Sequence, residues 1–226
     1  MPSNDFCDSR ERLLAGVRRF QREVYPKQKA AYQQVVREGQ KPHTLFITCA
    51  DSRIAPELIT QSGPGEIFVS RNIGNLVPAY GEMPGSVSAI IEYAVAALKV
   101  SHVVVCGHSE CGAMIGLLHP EKVEQLPVVK SWLRSGDTAL SVVRSRNAAA
   151  DERAALEELT EENVLQQLQH LRTHPSVAGR LAQGSLALSG WVYDIGHGTV
   201  RIYDEVQRKF VPLTGDEQAA TGGVSR

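Results

Sequence analysis

Two apolar, β-branched runs in this chain end on residues that bind metals, and that coincidence restricts its fold more than any other feature. His43–Thr48 (HTLFIT) leads directly into Cys49, while His102–Cys106 (HVVVC) leads through Gly107 into His108, with Cys111 just beyond. Runs of this length and composition read as buried strands. In an open parallel sheet, ligand sites form beyond the carboxyl ends of the strands, so segments distant in sequence can meet there. Two thiols and an imidazole suit a soft tetrahedral metal, Zn²⁺ foremost. A catalytic zinc keeps three firm protein ligands and one exchangeable position.

Asp51 and Arg53 follow Cys49 closely. A structural zinc prefers a fourth Cys or His. Here Asp51 either fills the fourth position or pairs with Arg53 and leaves that position to water. A bidentate guanidinium–carboxylate pair would hold the second arrangement. Because two thiolates neutralise the metal, its water should be less acidic than on an all-histidine site, so activity is expected to favour alkaline pH. Cys7 begins a Cys-Asp-Ser-Arg echo in a polar leader and is read as coincidence. Cys106, inside a β-branched strand, is read as a small buried hydrophobe.

The intervening chain alternates strand and helix signals. Strands are expected at 43–48, 66–70, 102–106, 186–194 and 199–206. Helices are expected over Pro56–Gln61, Pro84–Leu98 and Cys111–Leu118, and over most of Pro127–Thr173. That alternation implies right-handed βαβ crossovers and a mainly parallel α/β sheet. Leu13, Leu14, Val17 and Phe20 mark a first helix, and Pro26 starts a second that Gly39 ends. The charged stretch Asp151–Glu162 is expected to be a solvated face. A single domain of 226 residues is read, with an N-terminal helical arm (1–40), an α/β core (41–206) and a C-terminal tail (207–226) whose last dozen residues are expected to be loose.

Composition narrows the class by exclusion. A formal net charge of −1 offers no nucleic-acid footprint. No apolar run approaches the ~20 residues that span a bilayer, and the N-terminus lacks the basic and apolar regions of a signal peptide. A cytoplasmic protein is expected.

The chain strongly resembles the β-class carbonic anhydrases. The matching segments are Cys49-Ala-Asp-Ser-Arg53, Pro64-Gly-Glu-Ile-Phe68, Arg71-Asn-Ile-Gly-Asn75, Ile91-Glu-Tyr-Ala-Val95, Gly107-His-Ser-Glu-Cys-Gly112 and Gly190-Trp-Val-Tyr-Asp194. Val77-Pro-Ala-Tyr-Gly81 looks most like the bacterial enzymes found beside cyanate-degradation genes. The resemblance implies reversible hydration of CO₂ to bicarbonate and a proton, with zinc-bound hydroxide as nucleophile. It assigns one Zn²⁺ per chain to Cys49, His108 and Cys111. It also makes Asp51 the hydrogen-bond acceptor for that hydroxide and Arg53 its partner. Gln40, Phe68 and Tyr93 align with residues that line the CO₂ pocket at a subunit interface in the plant-like subgroup. The other subgroup's bicarbonate pocket needs a Trp where Phe46 stands, although Arg71 and Tyr193 would fit it. The family fold is a four-stranded parallel sheet extended by an antiparallel strand, with N-terminal helices reaching over a neighbour in a homodimer or tetramer. Three alternatives remain: a same-fold hydrolase of carbon disulfide or carbonyl sulfide, a zinc-stabilised thiol sensor, and a thiol nucleophile at Cys111 paired with His108. His43 and His197 are candidate proton shuttles if they face the cleft; His102, His119, His170 and His174 are read as structural or surface residues.

Overall fold

The computed structural model describes residues 5–82, 85–146 and 151–213, with side chains from residue 8. Helices α1 (Asp5–Arg19) and α2 (Tyr25–Glu38) lead into β1 (Thr44–Cys49), α3 (Pro56–Thr60), β2 (Ile67–Asn72), α4 (Ser86–Glu92) and β3 (His102–His108). Then come α5 (Gly112–Leu118), α6 (Pro127–Leu133), α7 (Asp137–Arg146), α8 (Glu152–Thr173) and α9 (Pro175–Ala182). Strands β4 (Ala187–Asp194), β5 (Thr199–Asp204) and β6 (Lys209–Pro212) complete the chain.

Among the described residues the strands form one sheet in the order β2-β1-β3-β4-β5-β6. The first four are mutually parallel, and β5 and β6 add to the edge antiparallel. The expected single antiparallel strand is therefore two. β6 lies inside the stretch read as the C-terminal tail and joins the sheet, because Phe210 packs into the core and stacks obliquely on Tyr203 at 5.3 Å. Residues 214–226 lie outside the described part.

The parallel strands are fully buried along β1 and nearly so along β3, as a sheet covered on both faces requires. Leu45, Ile47, Val103 and Val105 meet Ile91, Val95, Val164, Leu168 and Leu171 in one core. Phe46, Val104 and Cys106 form a separate cluster with Trp191, whose ring stands edge-on to Phe46 at 5.7 Å. Helix α8 can lie close to the sheet because β4 carries Gly190, where a Cβ would come within 2.8 Å of Val164 Cγ1. The stretch expected to be a solvated face is only partly so. Its charges do point outward from the start of α8, but Leu156, Leu159 and Thr160 are buried. Charge density misled there because an amphipathic helix carries its apolar positions between the charges.

Two helices contain widened turns that the sequence did not announce. The arm is helical from Asp5 to Glu38, interrupted by a π turn at Phe20–Val24 where the Tyr25 N–H donates to Phe20 O. Pro26 has no N–H to offer the helix, so the winding adjusts just before it. Phe20, Tyr25 and Tyr32 cluster around this turn. The helix expected to run to Leu98 changes to a π turn at Tyr93–Ala97 and ends at Lys99, which takes a left-handed φ of 58°. Its expected start at Pro84 lies outside the described residues.

Candidate metal centre

Strand order brings the donor segments together. β1 and β3 are direct neighbours with Thr48 opposite Cys106, so Cys49 and His108 both leave the sheet at its carboxyl edge. Cys111 occupies the position just before α5. The sulfurs of Cys49 and Cys111 and a ring nitrogen of His108 all lie within 4.8 Å of one another, and all three residues are buried. The Nδ1–H of His108 donates to Ser109 O at 2.8 Å, which leaves Nε2 as a bare lone pair. That Nε2 is buried without a hydrogen-bond partner, a condition shared among the described residues by Asn75 Nδ2 in a nearby turn. A buried acceptor left unpaired costs about 1–3 kcal/mol, and a cation between it and the sulfurs would satisfy it.

The sulfurs are prepared for the same charge. A hydrogen bond from the Cys111 thiol pulls Cys49 down from the usual thiol range against its burial; His108 and the Gly74 and Asp51 amides add to the effect. The same contact, with burial, pushes Cys111 up. The Gly74 N–H donates to Cys49 Sγ at 3.4 Å. Cys106 stands apart: it packs with Phe46 and Val104, donates to Gly107 O, and is pushed up to about 12 by burial. Among the described residues no fourth Cys or His joins the cluster. The side chain of Cys7 lies outside them.

Asp51 is not aimed at the cluster as a further donor. Arg53 grips it through Nε to Oδ1 at 2.9 Å and Nη2 to Oδ2 at 2.7 Å, and the Arg53 amide adds a third bond to Oδ1 at 2.9 Å. That grip holds the carboxyl well below the usual carboxylate range. Arg53 Nη2 also reaches Glu110 O at 3.1 Å, tying the β1 loop to the turn between His108 and Cys111. Arg71, a candidate for a bicarbonate pocket, spends its guanidinium on Asp51 O and Cys49 O.

Gln40, Phe68 and Tyr93 do not join the donors within one chain. Phe68 lies opposite Leu45, four residues before Cys49, which at ~3.3 Å per residue is about 13 Å back along the sheet. Tyr93 leans on Phe68 at 5.9 Å and is 50% exposed. Gln40 is exposed in the linker before β1. All three therefore gather where β1 and β2 begin, while the donors gather where β1 and β3 end. His43 also precedes β1, and His197 is an exposed partner of Asp194 at 3.0 Å. His170 and His174 hydrogen-bond Val77 O and Pro78 O.

Some residues that shape this centre escaped the sequence reading. Asn163 and Gln167 are buried amides on α8 that bond to the turn following β2. Their signal was available as two polar residues at i, i+4 on the face that carries Leu156, Leu159, Val164 and Leu171.

The chain matches the carbonic anhydrase family over residues 44–200. It is 48% identical over 212 residues to the carbonic anhydrase of Pseudomonas aeruginosa, covering 93% of this chain and 96% of that protein. It is 47% identical over 204 residues to carbonic anhydrase 1 of Escherichia coli O157:H7, covering 90% and 92%. Among solved structures, the β-carbonic anhydrase CcaA superposes with a TM-score of 0.89 at 39% identity, covering 92% of this chain and 94% of that one.

Proposed function

This chain belongs to the β-class carbonic anhydrases, and from that premise we propose that Cys49, His108 and Cys111 hold a Zn²⁺ while Asp51 and Arg53 govern the position left open beside it. The reaction is the reversible hydration of CO₂ to bicarbonate and a proton. A bound Zn²⁺ supplies the acidification of a coordinated water, which brings a nucleophile within reach of neutral pH.

The remaining work belongs to side chains. The Ser109 carbonyl fixes the His108 tautomer and ring orientation, so that Nε2 faces the sulfurs. The Arg53 fork holds Asp51 as an acceptor rather than a ligand. Arg53 takes both lone pairs of Oδ1 and one of Oδ2, so Oδ2 keeps a lone pair. That lone pair can accept the O–H of the attacking water and turn the water's own lone pair toward carbon. CO₂ is small and nonpolar, and the rings of Phe68 and Tyr93 with the Gln40 amide suit such a guest. Because these three stand at the opposite end of the sheet from the donors, a complete pocket needs a second copy. A homodimer is the smallest assembly that supplies it. The arm agrees, since Leu13, Val17, Phe20 and Val24 leave an apolar stripe uncovered on a single chain.

The observation that carries this reading is the buried Cys-His-Cys cluster with its unpaired Nε2. Metal analysis of purified protein, with stopped-flow CO₂ hydration before and after chelation, tests it. One zinc per chain and activity that disappears with the metal are expected. A folded, metal-free and still active protein would refute it.

A further inference from the structure

The turn between β2 and α4 is held by residues of α5, α6 and α8. Asn72 closes the turn by pairing its side-chain amide with Leu76, through Oδ1 at 2.8 Å and Nδ2 at 2.9 Å. Trp132 Nε1 of α6 donates to Ile73 O at 2.8 Å. Gly74 takes a left-handed φ of 78°, and a Cβ there would come within 2.7 Å of Ala113 on α5. No other residue fits that turn without moving α5.

Asn163 on α8 completes the grip. Its Nδ2 donates to Gly74 O at 3.2 Å, and its Oδ1 accepts from Gln167 Nε2 at 2.9 Å. Gln167 in turn donates to Ser135 O at 3.2 Å and accepts from the Val77 N–H at 2.8 Å. Both amides are buried and satisfied. The residue that Asn163 pins by its carbonyl is the one whose N–H points at Cys49 Sγ. A continuous hydrogen-bonded path thus runs from the middle of α8 to one sulfur of the cluster.

We propose that Asn163 is a positioning residue for the metal centre: by fixing Gly74 it keeps the Gly74 N–H on the Cys49 sulfur. The inference rests on the metal reading above, because it assigns a role toward that ion. A hydrogen bond to a ligating thiolate withdraws electron density from sulfur and fixes its direction. Outer-shell partners of this kind commonly change metal affinity or activity by about ten- to a hundredfold. A purely structural Asn163 would change stability alone.

The test compares Asn163→Ala and Asn163→Ser with Thr160→Val. Thr160 lies on the same helix, is equally buried and bonds only Leu156 O in its own helix. Zinc release to a chromophoric chelator and the near-ultraviolet thiolate-to-cobalt band of the Co²⁺-substituted proteins are measured. Asn163→Ala should release zinc roughly tenfold faster or more and shift the band, Asn163→Ser should fall between it and wild type, and Thr160→Val should match wild type. Release and band within twofold of wild type in the Asn163 variants, or equal changes in Thr160→Val, would overturn the proposal. Should the variants not fold, the wild-type protein decides. Loaded with a spin-active cadmium isotope, it should show scalar coupling between the metal and the Gly74 amide proton, and absence of that coupling overturns the proposal. A wild-type protein that takes up neither zinc nor cobalt refutes the metal reading itself, which is a separate outcome.

Discussion

At the scale of single residues, Asp51 and Cys106 show how environment sorts like groups into unlike roles. Asp51 is an ordinary carboxyl two residues from a sulfur donor, yet three hydrogen bonds from Arg53 commit it to being an acceptor. Replacing it by Ala removes the acceptor and frees Arg53 without deleting a member of the donor cluster. CO₂ hydration should fall by about a hundredfold or more, the scale seen when a positioned hydrogen-bonding group is lost. Metal content should remain at the wild-type level. Equal loss of metal and activity would show instead that Asp51 is a needed ligand. Cys106 is pushed up to about 12 by burial, whereas Cys49 is pulled down by its donors. A raised pKa means less thiolate at any given pH, and alkylation needs thiolate. In folded, metal-stripped protein, mass spectrometry after iodoacetamide at mildly alkaline pH should find Cys49 modified and Cys106 intact. Labelling of Cys106 at a comparable rate would contradict its burial.

At the scale of elements, the centre depends on how closely α8 approaches the sheet. Gly190 makes room for Val164, and the same docking carries Asn163 to the turn at Gly74. Gly190→Ala places a methyl 2.8 Å from Val164 Cγ1. Overpacking of this kind costs about 1–3 kcal/mol. Thermal unfolding should show a clear fall in Tm, and adding Val164→Ala should recover part of it, because the two sites share one contact. Purely additive losses would argue that the glycine serves another purpose. The strands, their order of appearance and most helix positions were legible because apolar periodicity is a local property. β6 was not, since Lys209–Pro212 is only four residues long and ends on a proline, too little to announce a strand without the pairing that β5 offers. The π turns were equally silent, as winding depends on what lies alongside the helix.

At the scale of the whole molecule, one chain places Phe68 and Tyr93 at the opposite end of its sheet from the Cys49–His108–Cys111 cluster and carries an arm with exposed apolar side chains. Leu13 is 74% exposed and Val17 52%. Each such side chain stabilises an interface by roughly 1.5–3 kcal/mol when fully buried, so a stripe of them favours association strongly. Leu13→Asp with Val17→Asp places charges on positions that are open in the single chain, which leaves the fold of a protomer unstressed. Sedimentation should show smaller species than wild type. CO₂ hydration should fall with the loss of assembly while zinc stays bound. Unchanged assembly would remove the arm from the interface, and monomers with full activity would show that one chain holds a complete pocket.

The order of residue types was enough by itself to determine the α/β alternation, the two thiols and imidazole at strand ends, and the acid–base pair beside them. Those are properties of side-chain chemistry and short-range periodicity, and they survive without coordinates. Only the tertiary structure decided that Asp51 turns to Arg53, that Phe68 and Tyr93 lie a strand's length from the sulfurs, and that Asn163 reaches the turn facing Cys49. Each of these is a relation between segments far apart along the chain. It is set by strand register and by the close docking of one helix on the sheet, which no local pattern encodes.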